Sequence, residues 1–253
     1  MTSVYAVLPA YNESESLPNL LARFSKLPAD DRSKLSIYVV NDGSTDNTRE
    51  VALIPYPGLK VEVVDHSKNM GLGQAVQTGI RTVIQVASDD DLMVLMDADD
   101  THDPELVQQL IAATEAGADI AIASRFVAGG DDSTAPFFRR LLSRGAAYCF
   151  RAALPVDSNV RDFTSGFRAY RVSLLRRASE HWGERLVEER GFACMVELLM
   201  KLRFCRPSIT EVPMYLEYDR KQGASKIKIM RTILQYLKLA IRDRISPPPY
   251  RDL

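Results

Sequence analysis

The first half of the chain alternates short β-rich runs with segments of helical periodicity, and this alternation limits the fold more than any other feature. The runs are apolar almost without interruption, as in strands that are buried on both faces. Such a pattern predicts an α/β fold, a doubly wound and mostly parallel sheet with helices on both sides. The predicted strands are 3–9, 35–41, 60–66, 92–97 and 119–124.

Three of the segments between these strands carry helical signals. Segments 14–26 and 73–87 repeat apolar residues at three- and four-residue spacing, which places them on one helix face. In the third, Asp103 is a suitable N-cap, Pro104 suits the first helical position and Gly117 predicts the stop. Since ligands bind beyond the carboxyl ends of the strands in such sheets, the loops that follow the strands are the candidate site.

The pattern changes after about residue 125, where the alternation ends. A loop-like segment is followed by predicted helices around 137–153 and near 190–204, and a short β-like run is predicted at 209–218. A long basic helix is predicted at 226–245, and the tail at 246–253 contains three consecutive prolines and should be extended or disordered.

No Pro-, Gly- or Ser-rich linker separates the two parts of the chain. The sequence therefore predicts one domain at 1–245, composed of a ligand-binding half at 1–125, a smaller second half at 126–225 and the basic helix.

Composition excludes several classes of protein. The 253 residues carry a formal net charge of −1, which gives no electrostatic reason to bind nucleic acid. Cys149, Cys194 and Cys205 lack metal-site spacing, and a sparse, odd count is typical of a reducing compartment. There is no signal-peptide pattern and no run of ~18 apolar residues that would span a membrane. We expect a cytoplasmic location, with any membrane contact being peripheral.

Polar clusters follow four successive predicted strands: PAYNE (9–13), NDGSTDNT (41–48), NMGLGQAVQTG (69–79) and DADD (97–100). Each alone could be a simple turn, because Asn, Asp, Gly and Ser are common turn residues. All four at one edge of a sheet favour a ligand site. Asp42 could accept an N–H from a nucleobase, and the helix that follows favours negative groups near its N-terminus. The glycine-rich segment has neither dinucleotide-fingerprint nor P-loop spacing.

The fourth predicted strand ends in a concentration of negative charge, Asp97, Asp99, Asp100 and Asp103. Like charges repel, and burying a carboxylate is costly without a compensating cation. Because Asp97 and Asp99 are two residues apart, an extended backbone points both to the same side. They could share Mg²⁺ or Mn²⁺, with phosphate oxygens completing the shell. A solvated loop that caps the next helix is the alternative.

The chain resembles glycosyltransferase family 2 in motifs that occur in the family's order: PAYNE, NDGSTD, GLGQAVQTG, DADDTHDPE, SRF, DFTSGFRAYR and EVPMYLEYDRKQGASKIKI. The similarity covers roughly residues 4–230 and is greatest to the dolichyl- and polyprenyl-phosphate mannose synthases. It implies a GT-A fold, a nucleoside-diphosphate sugar donor, a divalent metal and inversion at the anomeric carbon. In these terms, 1–125 would bind the nucleotide sugar and 126–225 would face the acceptor.

The resemblance also implies roles for individual residues. Donor contacts are implied for Pro9, Tyr11, Glu13, Asp42, Lys68, Asn69, Gly73, Asp97 and Arg125. Asp97 would lie near the ribose, Arg125 near the sugar phosphates, and Asp99 on the metal as the second carboxylate of the DxD motif. Arg220 and Lys226 match a pair of catalytic cations that grip phosphates. The acceptor-side motif is matched by Asp162, Ser165, Gly166 and Arg168.

The acceptor decides whether the reaction needs a base. A lipid phosphate is already a nucleophile, whereas a hydroxyl requires a general base, for which Asp162 is the candidate. Asp162 could instead cap a helix or pair with Arg161 or Arg168. Negative charge on the leaving diphosphate would be neutralised by the metal, Arg220 and Lys226.

Two positions depart from the family pattern. Asn41 replaces the first of two usual aspartates, and Thr101 stands where many eukaryotic relatives have a glutamine that helps to hold the metal. The metal preference is therefore open. His66, His102 and His181 are interpreted as structural or surface residues, with a place near the metal left open for His102.

The predicted helix at 226–245 has an apolar stripe, Ile227, Met230, Leu234, Leu237 and Ile241, and a basic one, Lys228, Arg231, Lys238 and Arg242. This pattern is typical of a helix at the surface of an anionic membrane. A helix packed on its own domain with a solvated basic face is the alternative. The resemblance favours the membrane.

Together these features predict an inverting, metal-dependent transferase of mannose or glucose. GDP-mannose is favoured over a UDP-sugar as donor, and polyprenyl phosphate is the expected acceptor. The alternatives are a family 2 enzyme that acts on a soluble small-molecule or protein hydroxyl, and a non-catalytic nucleotide-sugar-binding module.

Overall fold

The computed structural model describes residues 2–135, 137, 140–141, 144–145, 160–220, 234–236, 238–239 and 241. Within them, one seven-stranded sheet has the order β3-β2-β1-β4-β6-β5-β7. The strands are β1 (Val4–Ala10), β2 (Leu35–Asn41), β3 (Lys60–Asp65), β4 (Leu92–Leu95), β5 (Ile120–Ser124), β6 (Arg168–Arg171) and β7 (Ile209–Pro213). All five strands predicted in the first half are present with ends within two residues of those expected, which confirms the mostly parallel α/β sheet.

The sequence does not predict β6, which lies antiparallel between β4 and β5. Ala169 of β6 is in register with Val94 on one side and with Ala121 on the other. The remaining pairs, β1–β2, β1–β4, β2–β3 and β5–β7, are parallel. The β-like run near the end of the chain is shorter than predicted, since β7 ends at Pro213. One sheet thus contains strands from both halves of the chain.

The helices are α1 (Leu17–Phe24), α2 (Ala29–Ser33), α3 (Thr48–Ala52), α4 (Leu72–Val86), α5 (Leu106–Glu115), α6 (Val172–Trp182) and α7 (Cys194–Leu202). The predicted start of α5 at Pro104 is wrong by two residues, because a turn precedes the helix. Asp103 still accepts the backbone N–H of Glu105, at 3.1 Å. Gly117 ends the segment with φ +109°, a conformation that glycine adopts without strain. The predicted helices at 137–153 and 226–245 lie largely outside the described residues.

The core lies on both faces of the sheet, and β1 shows why. Val4, Ala6 and Leu8 pack on one side with α1 and α5, while Val7 packs on the other with Ile80 of α4. All five side chains are buried. A strand that contributes to two apolar layers has to be apolar at successive positions, which explains the near-continuous hydrophobic runs in the sequence.

The strand order indicates which edge of the sheet is suited to bind a ligand. The chain builds β2 and β3 on one side of β1 and then crosses to β4 on the other side, so the crevice at the carboxyl end of β1 is a topological switch point. The register aligns Ala10, Asn41 and Asp65 across β1, β2 and β3 at this edge. The four polar loops therefore converge, as the sequence predicts.

Candidate active site

The loops after β1 and β2 are fastened together by side chains. Asn12 has φ +52°, and its N–H donates to Ser44 Oγ at 3.0 Å, while its Oδ1 accepts the N–H of Thr45 at 2.8 Å. The N–H of Glu13 donates to Thr48 Oγ1 at 2.8 Å. These bonds fix the backbone at 12–13, and the three predicted donor contacts of this stretch, Pro9, Tyr11 and Glu13, are half-buried.

Asp42, the predicted nucleobase acceptor, is buried and bonded to the third loop. Its Oδ1 accepts the N–H of Met70 and its Oδ2 that of Gly71, both at 2.8 Å. Nδ1 of His66 lies 2.7 Å from Oδ1, and Nε2 lies 2.9 Å from Thr78 Oγ1 on α4. Asp42 therefore holds the third loop against the loop after β2. Its neighbour His66 holds it there, a role that the scattered histidines of the sequence did not reveal.

The third loop meets both halves of the chain. Lys68 and Asn69 are exposed and lie against Gly43, where a Cβ would be 2.2 Å from the Lys68 carbonyl carbon. Gly73 is buried, and a Cβ there would be 1.8 Å from the backbone oxygen of Glu189. The backbone of the second half thus approaches α4 closely at Gly73, and this contact requires a glycine there. The packing requirement is separate from the donor contact predicted for Gly73.

The departure at Asn41 has a local explanation. Its amide Nδ2 donates to Asp65 Oδ1 at 2.8 Å, and its Oδ1 accepts the N–H of Ser44 at 3.2 Å. An aspartate at this position would put two carboxylates at hydrogen-bond distance, which is unfavourable unless one takes up a proton. Asp65 also forms an ion pair with Arg49, at 2.8 Å.

The structure divides the four aspartates after β4 into two pairs. Arg23 of α1 donates to Asp100 Oδ1 at 2.9 Å and to Asp103 Oδ1 at 3.1 Å, so a guanidinium compensates these two carboxylates. Asp97 and Asp99 are half-buried at the carboxyl end of β4. Thr101 donates its hydroxyl to Asp99 Oδ1 at 2.6 Å and so orients that carboxylate.

The donor set at Asp97 and Asp99 fits a hard divalent cation. Both side chains offer carboxylate oxygens, the ligands that Mg²⁺ and Mn²⁺ prefer. Gly166 leaves room beside them, because a Cβ there would lie 3.3 Å from Asp97 Oδ1. Among the described residues, no group of three or more His, Cys, Asp and Glu side chains could hold a metal. A metal at this pair would therefore need phosphate oxygens or water to complete its shell.

Asp162 has the geometry of a structural ion pair, which argues against the predicted general base. Its side chain is fully buried (0 % exposed). Arg125 donates from Nε to Oδ2 at 2.8 Å and from Nη2 to Oδ1 at 2.7 Å, and Ser165 N–H adds a bond at 3.0 Å. Burial alone would raise the pKa of Asp162, but the charge and hydrogen bonds of Arg125 lower it below its usual range. The ion-pair alternative describes this site, with Arg125 as partner in place of Arg161 or Arg168.

Two other residues of the acceptor-side motif are also internal. The guanidinium of Arg168 is fully buried and donates to the backbone oxygens of Met195 (3.0 Å) and Phe163 (2.8 Å). Ser165 donates its hydroxyl to Ala123 O at 2.7 Å. Ser165 and Arg168 are therefore part of the buried interior. Gly166 is the residue of this motif that lies next to Asp97.

Arg220 is linked through Glu217 to the turn after β4 that contains the four aspartates, here called the acidic turn. It ends a single 3₁₀ turn, Tyr218–Arg220, and its Nε lies 3.1 Å from Glu217 Oε2. The backbone N–H of Glu217 donates to Thr101 O at 3.0 Å, which places this turn beside Asp99. Lys226, the other predicted cation, lies outside the described residues.

The described residues of the basic helix show two faces. Leu239 is buried, and Tyr236 packs against the core cluster that contains α4 and α7. Gln235 donates to Glu189 Oε2 at 3.1 Å. Leu234 and Ile241, from the predicted apolar stripe, are 63 % and 56 % exposed. In the part of the chain that the structure describes, no helix is long and apolar enough to cross a bilayer.

Sequence comparisons point to one family. The model of glycosyl transferase family 2 matches residues 5–178. Over 235 residues the chain is 35% identical to a dolichol-phosphate mannosyltransferase of Pyrococcus furiosus, which covers 93% of this chain. The chain spans 62% of the length of that relative. Over 245 residues it is 32% identical to a polyprenol monophosphomannose synthase of Mycolicibacterium smegmatis, covering 95% of this chain and 88% of the relative.

Solved structures support the fold. Glucosyl-3-phosphoglycerate synthase from Mycobacterium tuberculosis superimposes with a TM-score of 0.67 at 20% identity, over 98% of this chain and 82% of that one. The same protein in complex with Mn²⁺, uridine diphosphate and glucosyl-3-phosphoglycerate gives a TM-score of 0.65 at 18% identity, over 98% and 81%. The sheet described above is thus a GT-A fold.

Proposed function

The chain belongs to glycosyltransferase family 2, and we propose that it transfers a hexose, mannose in preference to glucose, from a nucleoside-diphosphate sugar to a polyprenyl phosphate. The observation that carries the proposal is the end of β4. There Asp97 and Asp99 are half-buried two residues apart, Thr101 orients the carboxylate of Asp99, and Gly166 leaves room beside Asp97 for a metal ion.

The choice of donor and acceptor follows the sequence relatives. Those at 29% to 35% identity include proteins named dolichol-phosphate mannosyltransferase, polyprenol monophosphomannose synthase and undecaprenyl-phosphate mannosyltransferase. GDP-mannose is therefore the favoured donor. A UDP-sugar is the alternative, since a neighbour of the same fold was crystallised with Mn²⁺ and UDP-glucose.

The site residues support this chemistry through charge. A divalent metal held by Asp97 and Asp99 would supply Lewis-acid neutralisation of the diphosphate. Arg220 would add a fixed positive charge where the leaving group departs, and Lys226 would add a second. A phosphate monoester acceptor is largely ionised at neutral pH and brings its own nucleophile, so the reaction needs no protein base. The buried ion pair of Asp162 is compatible with such a reaction.

The metal claim is tested by Asp99→Asn, with Asp89→Asn as the matched control. Asp89 precedes β4, at the opposite end of the strand, and forms an exposed ion pair with Arg176 at 2.8 Å. Asp99→Asn should abolish transfer and remove the Mn²⁺-dependent rise in melting temperature with GDP, because a ligand that binds the native state stabilises it. The control should retain both. Full activity of Asp99→Asn, or of the wild type in excess chelator, would refute metal-dependent transfer.

The acceptor is tested separately with labelled GDP-mannose or UDP-glucose and three acceptor conditions: polyprenyl phosphate, polyprenol or no lipid. The proposal expects label on the lipid phosphate alone. Equal transfer to the free alcohol would show that the protein must activate a hydroxyl. Transfer to a soluble acceptor, with none to either lipid, would leave the family assignment intact and refute the lipid-phosphate acceptor.

We also propose peripheral membrane contact through the exposed side of the C-terminal segment. Leu234 and Ile241 are seven residues apart, which is two helical turns, so they share one face. Leu239 faces the core. The described residues of the apolar stripe are therefore exposed and available to contact a membrane. In a helix that only packs on its own domain, the apolar stripe would be buried.

A further inference from the structure

The acidic turn after β4 and the turn that carries Arg220 share one carboxylate. Oε2 of Glu217 lies 2.8 Å from Nη2 of Arg23 and 3.1 Å from Nε of Arg220. The backbone N–H of Glu217 donates to Thr101 O at 3.0 Å. A single oxygen thus joins a guanidinium from α1 to the one predicted to contact the diphosphate.

Arg23 is the fixed member of this arrangement. It contacts Asp100, Asp103 and the backbone oxygen of His102, at 2.9, 3.1 and 3.2 Å. The exposed fraction of the side chain rises from 17% for Arg23 to 24% for Glu217 and 48% for Arg220. Arg23 is therefore the most tightly held of the three side chains and Arg220 the least, with Glu217 between them.

The way in which Glu217 holds Arg220 leaves it able to act on a phosphate. A guanidinium has five N–H donors in a planar fork, and the Glu217 contact is made at Nε, on one edge. The terminal nitrogens extend the fork away from that edge and can bind phosphate oxygens in the two-point geometry that arginine favours. A cation that is already oriented needs no reorganisation as charge develops on the leaving group.

We propose that Glu217 is a positioning residue for the transfer reaction, anchored by Arg23, which orients Arg220 beside Asp97 and Asp99. This inference rests on the proposed function, because it assumes that Arg220 stabilises the departing diphosphate. It adds that the acidic turn and the phosphate-contacting arginine form one unit, so that Arg220 acts at full strength only while Glu217 carries its charge.

The first test is Glu217→Gln, which keeps the size of the side chain and removes its charge. We expect kcat to fall about tenfold, part of the hundredfold or larger effect of losing a charge-stabilising group outright. The KM for the nucleotide sugar should change by less than about threefold, since an interaction made in the transition state affects kcat. Glu62→Gln is the matched control, because Glu62 pairs with Lys60 at 3.0 Å on the edge strand β3. The control should behave as wild type, and melting temperatures report whether each variant folds.

The second test is a double-mutant cycle with Arg220→Gln, which isolates the coupling between the two residues. If Glu217 acts through Arg220, Glu217→Gln should change kcat by less than about twofold in the Arg220→Gln background. An equal loss in both backgrounds, or a Glu217→Gln enzyme with wild-type kcat, would overturn the positioning role and leave the proposed function intact. Wild-type kcat in Arg220→Gln itself would refute the assumed role of Arg220 and the inference with it.

Discussion

Asp162→Asn distinguishes a catalytic carboxylate from a structural one. In the wild type both carboxylate oxygens bond to Arg125, and the backbone N–H of Ser165 adds a further bond. The side chain is entirely buried and that of Arg125 is 13% exposed. The substitution keeps the shape but leaves the guanidinium without its counter-charge in a site from which water is largely excluded.

The expected loss of stability follows from this geometry. Removing one partner of a buried ion pair costs about 3–5 kcal/mol, because the remaining charge is left uncompensated. The asparagine oxygen can still accept from Ser165, and Arg125 retains a bond to Thr164 Oγ1 at 2.8 Å, so the lower end of that range applies. For a protein of this size, about 3 kcal/mol lowers the melting temperature by roughly 6–12 °C.

The pH dependence has a definite sign. The pKa of Asp162 is lowered in the folded protein, since the charge and hydrogen bonds of Arg125 outweigh burial. Its stabilisation is therefore present above the unfolded pKa of about 3.9 and is lost as pH falls through the lower folded pKa. Burial raises the pKa of the neighbouring Glu211, so its contribution is largest at low pH and falls as pH rises. The charge of Asp162 is a further, smaller cause of that raised pKa, so Asp162→Asn also reduces the shift at Glu211, and the difference between the two stability curves includes this change.

Urea unfolding of wild type and Asp162→Asn at about pH 7 and about pH 3 checks this reasoning, since the stability gap should narrow at the lower pH. Asp89→Asn, which breaks an exposed pair, should cost less than about 1 kcal/mol at either pH. An Asp162→Asn protein that melts like wild type but has lost transfer would refute the structural role and restore the carboxylate as a base.

Three further changes test other contacts. Gly73→Ala should lower the melting temperature and weaken binding of GDP with Mn²⁺, measured by thermal shift, because its Cβ would clash with Glu189 O at 1.8 Å; wild-type values for both would contradict the close approach. Asn41→Asp should lower the free energy of unfolding, measured with urea, by about 1 kcal/mol at neutral pH, because the new carboxylate would face Asp65 at 2.8 Å. The loss should be smaller near pH 4, where one of the two carboxylates can be protonated. An equal loss at both pH values would show that repulsion is not its cause. Leu234→Ser should reduce co-sedimentation with anionic vesicles, and binding of the wild type should fall with added salt; unchanged binding would refute contact through this face.

Periodicity was enough to predict the sheet but not all of its strands. β1, β2 and β5 are buried on both faces, so their apolar runs predict them within one residue. β6 has four residues, two of them arginines, and its sequence RAYR gives no apolar run. It forms because β4 and β5 pair with it on both sides and because backbone oxygens accept from the two terminal nitrogens of the buried Arg168 guanidinium. That compensation comes from α7 and from the loop before β6, so no local pattern could indicate it.

The same limit applies to the acidic turn. Four aspartates in seven residues predict a site for positive charge, and the chain itself supplies part of that charge. Arg23, which is 77 residues before Asp100, compensates the outer pair. The spacing of the aspartates could not indicate that Asp99 and Asp100 belong to different pairs. The positive φ of Asp100 (+59°) turns the backbone between these two residues, and the sequence does not show this turn. Thr101 and Asn41 look like losses against the family pattern, but Thr101 orients Asp99 through its hydroxyl and Asn41 donates a hydrogen bond to Asp65. A residue that departs from a family motif therefore has to be interpreted together with the residues that its side chain contacts. Those contacts show whether the altered side chain removes a function or supports it.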